Sequence, residues 1–504
     1  MKLLAPLSLA LFLVFAGLFA THTLGSINQD IGRHLKTGEI IWQTKSVPTT
    51  NLFSYTEPNT RFINTHWLSE VVLYLLNLLI GLKGLIIFKS LVLVLTFWLL
   101  YESVKRKASA TAFIAAAIPC LFVMADRTDL RPEIFSYLFL AYFLFAIFKA
   151  KHLQDYRWMW ALPFIQLVWT NMHIYFAFGL MLAGLFMIDR WLAKDPQWKF
   201  AAAITAACGL VMLINPNGLA GALAPFTILV RYGYGIVENQ SVFFIHTYGI
   251  LTTQINIFLL VVLLLAASFI PALQERGLKG YFFETATALI FLILGFQMIR
   301  NFGPFVIATT PILALNIQSY LNRRNLSPRA FKRLSGASIG ACLVLVFMVL
   351  NSTAYSWAGS GDQFGLDIPA SAQGGVDFVL AHHLSGPVFN NFDVGSYLIW
   401  KLYPDQKVFV DGRPEAYTPE FFMNIYEPMQ EDPATWNHYA NDVYHVEYIF
   451  FDYHDITPWA QTFLSFISQD PNWPLVYQDN STVIFVRNDT SHAALLKSLT
   501  APKH

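Results

Sequence analysis

Residues 26–70 read SINQDIGRHLKTGEIIWQTKSVPTTNLFSYTEPNTRFINTHWLSE, and this stretch decides how the chain is read. It carries Asp30, Arg33, His34, Lys36, Glu39, Arg61, His66 and Glu70 between two long apolar runs. A membrane span on each side would hold this loop at a bilayer surface. Acid, imidazole and guanidinium gathered there are the groups that proton transfer and anion binding need.

The rest of the chain supports that setting. Its 504 residues are 55% hydrophobic and only 13% charged. Soluble globular chains carry about a quarter charged residues, so this excess of apolar residues implies a polytopic membrane protein. The net charge of +1 sets up no overall field for nucleic acid. Cys120, Cys208 and Cys342 all lie inside apolar runs, which fits core residues and not a disulfide framework.

Eleven apolar stretches are expected to span: 3–20, 84–101, 108–124, 134–148, 158–172, 175–188, 200–214, 251–273, 281–299, 303–320 and 336–350. The first is read as an uncleaved span, because no A-x-A site follows it. Residues 66–82 form an amphipathic lead into the second. With Lys2 inside, the basic clusters at 105–107, 149–151, 190–199, 276–279 and 323–333 all fall on one side. That agrees with the positive-inside rule. The loops 23–70, 125–133 and 215–250, Arg300 and everything after 350 then face outward.

Residues 351–504 change character. KVFVDGR, VEYIFFDY, WPLVYQD and STVIFVR read as short strands, with helices over 395–401 and 459–468. The expected architecture is a helical membrane domain, 1–350, with its first outer loop at 23–70. An extracytoplasmic α/β domain, 351–504, follows it.

Five arginines, Arg33, Arg127, Arg131, Arg231 and Arg300, sit at outer span boundaries where the positive-inside rule does not put them. Guanidinium forks bind phosphate oxygens bidentately. The set therefore suits a lipid-borne phosphate; snorkelling, or pairing with Asp126, Asp129 or Glu133, would also account for any one of them. Asp30 lies three residues before Arg33 and four before His34, so a helical turn would align all three. Asp30 is the candidate base. His34, His66, Glu70, Asp126 and His173 are candidates to orient it or the acceptor. His66 and Glu70 repeat the i, i+4 spacing, but two ligands do not make a metal site. Asn171 and His173 fall in a turn between spans, and 215–218, NPNG, is turn chemistry. Asn390, Asn391, Asp393, Asp411 and Arg413 stand at expected strand ends, where ligand contact and turn or cap roles fit equally. The chain contains no Walker A, GxGxxG, HExxH or GxSxG signature, so nothing supports a nucleotide-driven pump or a cytoplasmic nucleotide-sugar enzyme.

Several motifs carry a resemblance. QDIGRHLKTGEII, PTTNLFSYT, THWLSEVVLYLL, DLRPEIFSY, WTNMH, INPNGL, NNFDVGSYLIWKL and KVFVDGRPEAY are similar to uncharacterised bacterial members of the GT-C superfamily of integral membrane glycosyltransferases, of the glycosyltransferase family 39 and RgtA-like type. The resemblance spans most of the chain. It implies an inverting transferase that takes sugar from a polyprenyl phosphate and passes it to an envelope glycan, lipid or protein. It implies a bacterial inner membrane, with the N-terminus cytoplasmic and the C-terminal domain periplasmic. In the family an acid of the first outer loop is the base, which maps onto Asp30. Many members carry two adjacent acids there; here the neighbours are Gln29 and Ile31. No cofactor is assigned, and the resemblance leaves room for a divalent metal. A transporter or flippase of a lipid-linked substrate is the alternative, favoured by ionisable groups in mid-span such as Glu284. A membrane scaffold with a binding outer domain is a third reading.

Overall fold

Apolar residues at 31, 35 and 41 give the first-loop segment one buried stripe, and it forms the helix Ile31–Thr44. Lys45 closes it in the left-handed region, its N–H returning to the Ile41 carbonyl. Two glycines let the helix approach its neighbours closely. A Cβ on Gly32 would stand 2.8 Å from the Ser396 carbonyl oxygen, and one on Gly38 would collide with the Glu70 carbonyl. This geometry comes from a computed structural model, which describes residues 4–24, 30–228, 233–369 and 371–500.

Packing divides the chain into two units. The first comprises Met1–Leu24, Ile80–Ala222 and Ile236–Asp367; the second comprises Gly25–Leu79, Leu223–Gly235 and Ile368–His504. The first outer loop thus shares a unit with the C-terminal segment, and the division does not follow chain order.

The first unit is a helical membrane domain. Among the described residues six helices are long and apolar enough to cross a bilayer: Trp67–Val104, Glu133–Leu153, Ile174–Leu192, Thr252–Glu275, Ile299–Arg323 and Pro328–Leu350. Shorter apolar helices are Leu4–Ala20, Ala110–Val123, Trp198–Val211, Gly218–Thr227 and Phe282–Gln297. The amphipathic lead and the second expected span form one run, broken at Gly81, whose φ of 67° is open to glycine. The expected span at 158–172 is a 3₁₀ turn, Tyr156–Ala161, followed by the helix Leu162–Met172. Gly218–Thr227, read above as loop, is helical. The Asn215 amide shapes its entry by bonding the Met212 and Gly218 carbonyls, both at 2.8 Å.

Lipid offers helices no water to escape, so close packing has to hold them together. Here aromatic edges do much of that. Phe12 meets Phe97 at 5.6 Å and Phe113 at 5.9 Å, and Phe19 meets Phe122 at 5.3 Å. Residues 21–24 run beside 363–367, joined by Thr23 N–H to Gln363 O and Leu24 N–H to Asp367 O.

The second unit carries a four-stranded sheet. Its strands are β1 (Val388–Asn390), β2 (Tyr448–Asp452), β3 (Leu475–Gln478) and β4 (Thr482–Val486), in the order β1-β2-β4-β3. β1 runs parallel to β2, and the other pairs are antiparallel. Helices Gly395–Leu402 and Pro458–Ile467 fall where expected. KVFVDGR is a correction. It forms no strand in the sheet, and PVFNN supplies the fourth strand. The polar groups of 408–410 are taken up elsewhere. Ser54 and Thr56 hydroxyls donate to Phe409 O, Asn390 Nδ2 donates to Val410 O, and Phe409 N–H donates to Asn390 Oδ1.

The same segment clamps the outer loop. Arg413 binds Asp411 bidentately at 2.7 Å, donates to Asn51 Oδ1 at 2.9 Å, and lies 5.0 Å from the rings of both Phe53 and Phe62. Losing one partner of such a buried pair costs about 3–5 kcal/mol. Asp411, Arg413, Asn390 and Asn391 therefore serve the architecture here. Asn391 likewise bridges Asp452 and Asp455.

Candidate active site

In the second unit, the helix Ile31–Thr44 begins at Asp30, which is its N-cap without a cap bond from the side chain. The carboxylate instead meets Arg33 Nη2 at 3.1 Å. One turn of helix brings His34 to the same face. His34 is buried, and its Nδ1 lies 2.9 Å from Glu70 Oε1. A carboxylate only accepts, so Nδ1 carries the hydrogen and Nε2 keeps its lone pair. Burial, with Arg33 beside it, lowers the His34 pKa, so the ring is neutral near neutral pH.

Glu70 also accepts from Asn64 Nδ2 at 2.6 Å, and Arg33 Nη1 stands 3.8 Å away. Its carboxylate thereby joins the two ends of the outer loop. His66 stands beside His34, ring centres 5.9 Å apart. Asp30, Arg33, His34, His66 and Glu70 form one cluster, as the loop's composition implies.

The first unit holds a second cluster. Arg127 ends a 3₁₀ turn, Ala125–Arg127, and Arg300 lies in another, Ile299–Asn301. Together with Arg131 they converge on Glu238. Arg127 Nη1 and Arg131 Nη1 reach Glu238 Oε1 at 3.1 and 2.6 Å, and Arg300 Nη2 reaches Oε2 at 3.8 Å. Burial would raise the Glu238 pKa, but the three guanidinium groups outweigh it and hold the carboxyl well below its usual range. Of the five assigned arginines, these three meet. Arg33 belongs to the first-loop cluster, and Arg231 lies outside the described residues.

Asp126 faces Gln254, whose Nε2 donates to Oδ1 at 3.2 Å; its other oxygen is buried without a hydrogen-bond partner. Burial pushes this carboxyl up to about 6. A raised folded pKa means the folded state holds the proton more tightly. Stability therefore falls as pH climbs from about 4, where the unfolded carboxyl ionises, towards the folded value. Asp126→Asn removes this titration. We expect the variant to melt a few degrees above the parent at pH ~7, with the gap closing below about pH 4. A gap that stays constant across that range in detergent melting curves would show that Asp126 does not titrate this way.

His173 caps a 3₁₀ turn, Ile174–Phe176, and its Nδ1 meets Ser136 Oγ at 2.9 Å. Trp169 Nε1 donates to the same hydroxyl at 2.7 Å. The WTNMH turn is thus fastened to the helix Glu133–Leu153.

A divalent metal needs acids or histidines free to converge. Glu70 gives its two oxygens to His34 and Asn64, and Asp30 faces Arg33. These residues do not fit a metal. Among the described residues, Glu447, Asp489 and His492 bring ligand atoms within 4.8 Å of one another. Asp489 Oδ1 already accepts from Ser491 N–H, Ser491 Oγ and His492 N–H, as a turn would have it.

No family model matches the sequence, and no curated protein does. Solved structures match the fold. ArnT from Cupriavidus metallidurans in the apo state covers 100% of this chain and 99% of its own, at 14% identity and a TM-score of 0.56. The same protein bound to undecaprenyl phosphate gives 0.54 over the same coverage. The apo Archaeoglobus fulgidus oligosaccharyltransferase gives 0.53 at 11% identity, over 96% of this chain and 74% of its own. This chain has the GT-C fold.

Two polar groups of this chain escaped the sequence reading. Glu238 is the only acid within 215–250, a signal that was present but outshone by the arginines. Lys89 is a lone base inside an apolar run, a pattern that marks function in a membrane. It is buried, with Nζ 2.9 Å from both His22 Nε2 and the Thr128 carbonyl. With Arg127, Val92, Leu93 and Ile134 it lines a small cavity. Glu284, the expected mid-span acid, is neutralised in a buried cluster with Lys151, which also binds Asp189 at 2.8 Å.

Proposed function

We propose that this protein is a membrane glycosyltransferase that takes a sugar from a polyprenyl-phosphate donor and passes it to an envelope glycan, lipid or protein. The observation that carries the reading is the convergence of Arg127 and Arg131 from the 125–133 turn and Arg300 from the 299–301 turn onto one point. Guanidinium groups recruited in this way suit the oxygens of a phosphate monoester. The GT-C fold supports it, and ArnT with that fold has been seen bound to undecaprenyl phosphate.

In this reading the acceptor oxygen forms a bond to the anomeric carbon from the face opposite the leaving group, which inverts that centre. The bond from that carbon to the phosphate oxygen breaks, and its electron pair stays on the phosphate. Arg127, Arg131 and Arg300 stabilise the charge that develops there. Arg33 pairs with Asp30 in the first-loop cluster. The acceptor's proton passes to Asp30. His34, His66 and Glu70 hold the loop that carries Asp30, and Asp126 and His173 order the turns beside the arginines. Lys89 adds a second kind of cation next to Arg127. The site faces outward from a bacterial inner membrane, with Lys2 cytoplasmic and the C-terminal domain periplasmic.

The test is transfer by the purified chain in proteoliposomes. Labelled polyprenyl-phosphate sugars are offered with envelope fractions from cells lacking the gene. The label should move from lipid to the envelope fraction, leaving polyprenyl phosphate behind. Label that crosses the bilayer while still lipid-linked would establish transport instead and overturn the proposal.

A further inference from the structure

Glu238 occupies the point on which Arg127, Arg131 and Arg300 converge. Three guanidinium groups surround a carboxylate that has only two oxygens, and Arg300 reaches it at 3.8 Å, as an ion pair beyond hydrogen-bond length. A phosphate monoester offers three terminal oxygens and up to two charges, so it answers three arginines better than a carboxylate does. The segment that carries Glu238 is built lightly. It is a three-residue 3₁₀ turn, Val237–Asn239, in a loop, and Val237 is 48% exposed. Besides the ion pairs of Glu238, Ile299 N–H ties the segment by donating to the Gln240 carbonyl. Such a turn opens at lower cost than a packed helix.

We propose that Glu238 is an internal ligand of the phosphate seat, which the polyprenyl phosphate monoester left by sugar transfer displaces. The inference rests on the donor reading above and deepens it. Protonation does not vacate the seat, because the arginines keep Glu238 ionised at working pH. An entering anion has to outbid a carboxylate already in place. The seat is thereby selective for a doubly charged phosphate over a carboxylate or a neutral headgroup. With Glu238 gone, the three cations would greet any anion, so the residue sets specificity as well as affinity.

Two measurements on the full chain in nanodiscs test this. The first compares undecaprenyl phosphate affinity in the parent and in Glu238→Gln. Removing an internal competitor should tighten binding by roughly tenfold, since the competent seat is no longer masked. The second follows hydrogen exchange over 236–241 in the parent, and so does not depend on the variant folding. Exchange there should quicken when undecaprenyl phosphate is added. Binding that is no tighter in Glu238→Gln and leaves 236–241 equally or better protected overturns the displacement alone. Absence of binding to parent and variant both removes the donor reading and the inference with it. Inorganic phosphate serves as the other arm. If it reproduces both effects at the same concentration, the displacement stands and the lipid source is overturned.

Discussion

Asp30→Asn should lower turnover by about a hundredfold or more, as loss of a general base does, while membrane insertion and protein level stay at parental values. The substitution keeps the side chain's size and its turn-forming habit. The helix Ile31–Thr44 takes no cap hydrogen bond from this side chain, so its start does not depend on the carboxylate. What Asn loses is the capacity to take a proton and the charge that meets Arg33 at 3.1 Å. An ordinary carboxylate is a weak base toward a hydroxyl. It suffices when the sugar–phosphate bond is largely broken before the proton moves, because the acceptor then becomes acidic late. Glu70→Gln is the comparison. Its oxygens hold His34 and Asn64, and an amide oxygen can still accept from one of them. That variant should lose less turnover and more thermal stability. A purified Asp30→Asn protein that transfers sugar near the parental rate would leave Asp30 as the partner of Arg33. The search for the base would then move to Glu70 or Asp126.

The spans and the polar loop were legible because hydropathy and charge are local properties of a sequence. Residues 84–101 or 303–320 announce themselves without reference to anything distant. The pairing of the outer loop with the C-terminal segment was not legible in this way. It runs through contacts such as Arg413 to Asn51 and Ser54 to the Phe409 carbonyl, some 350 residues apart in the chain. KVFVDGR shows the same limit. Its alternating apolar pattern suits a strand, yet Val408 pairs in an isolated bridge with Ser54, and side-chain amides and hydroxyls take backbone groups of Phe409 and Val410. The i, i+4 spacing of His66 and Glu70 is real helix geometry, but the carboxylate finds His34 across the loop, which no spacing rule within one helix reveals. Three of the arginines do meet. The reason they can lie so close is Glu238, an acid that reads as an ordinary loop residue until its surroundings are known.

Arg127→Gln carries the second large effect. Charge-assisted hydrogen bonds are worth about 1.5–3 kcal/mol each, so kcat/KM should fall roughly ten- to a hundredfold. If Arg127 acts on charge that develops on the departing phosphate, most of the loss should appear in kcat; if it holds substrate and transition state alike, only KM rises. Arg157→Gln is the control, since that side chain is 77% exposed and pairs with Asp155, two residues before it. The rival account is that Arg127 exists to neutralise Glu238, and a double substitution separates the two. Arg127→Gln with Glu238→Gln removes the cation and its counter-charge together. Were neutralisation the whole role, the double variant would regain parental activity, because nothing would be left unpaired. If Arg127 holds the phosphate, the double variant binds with one guanidinium fewer and no competitor. Its KM then recovers in part, while its kcat stays at the level of the single arginine variant.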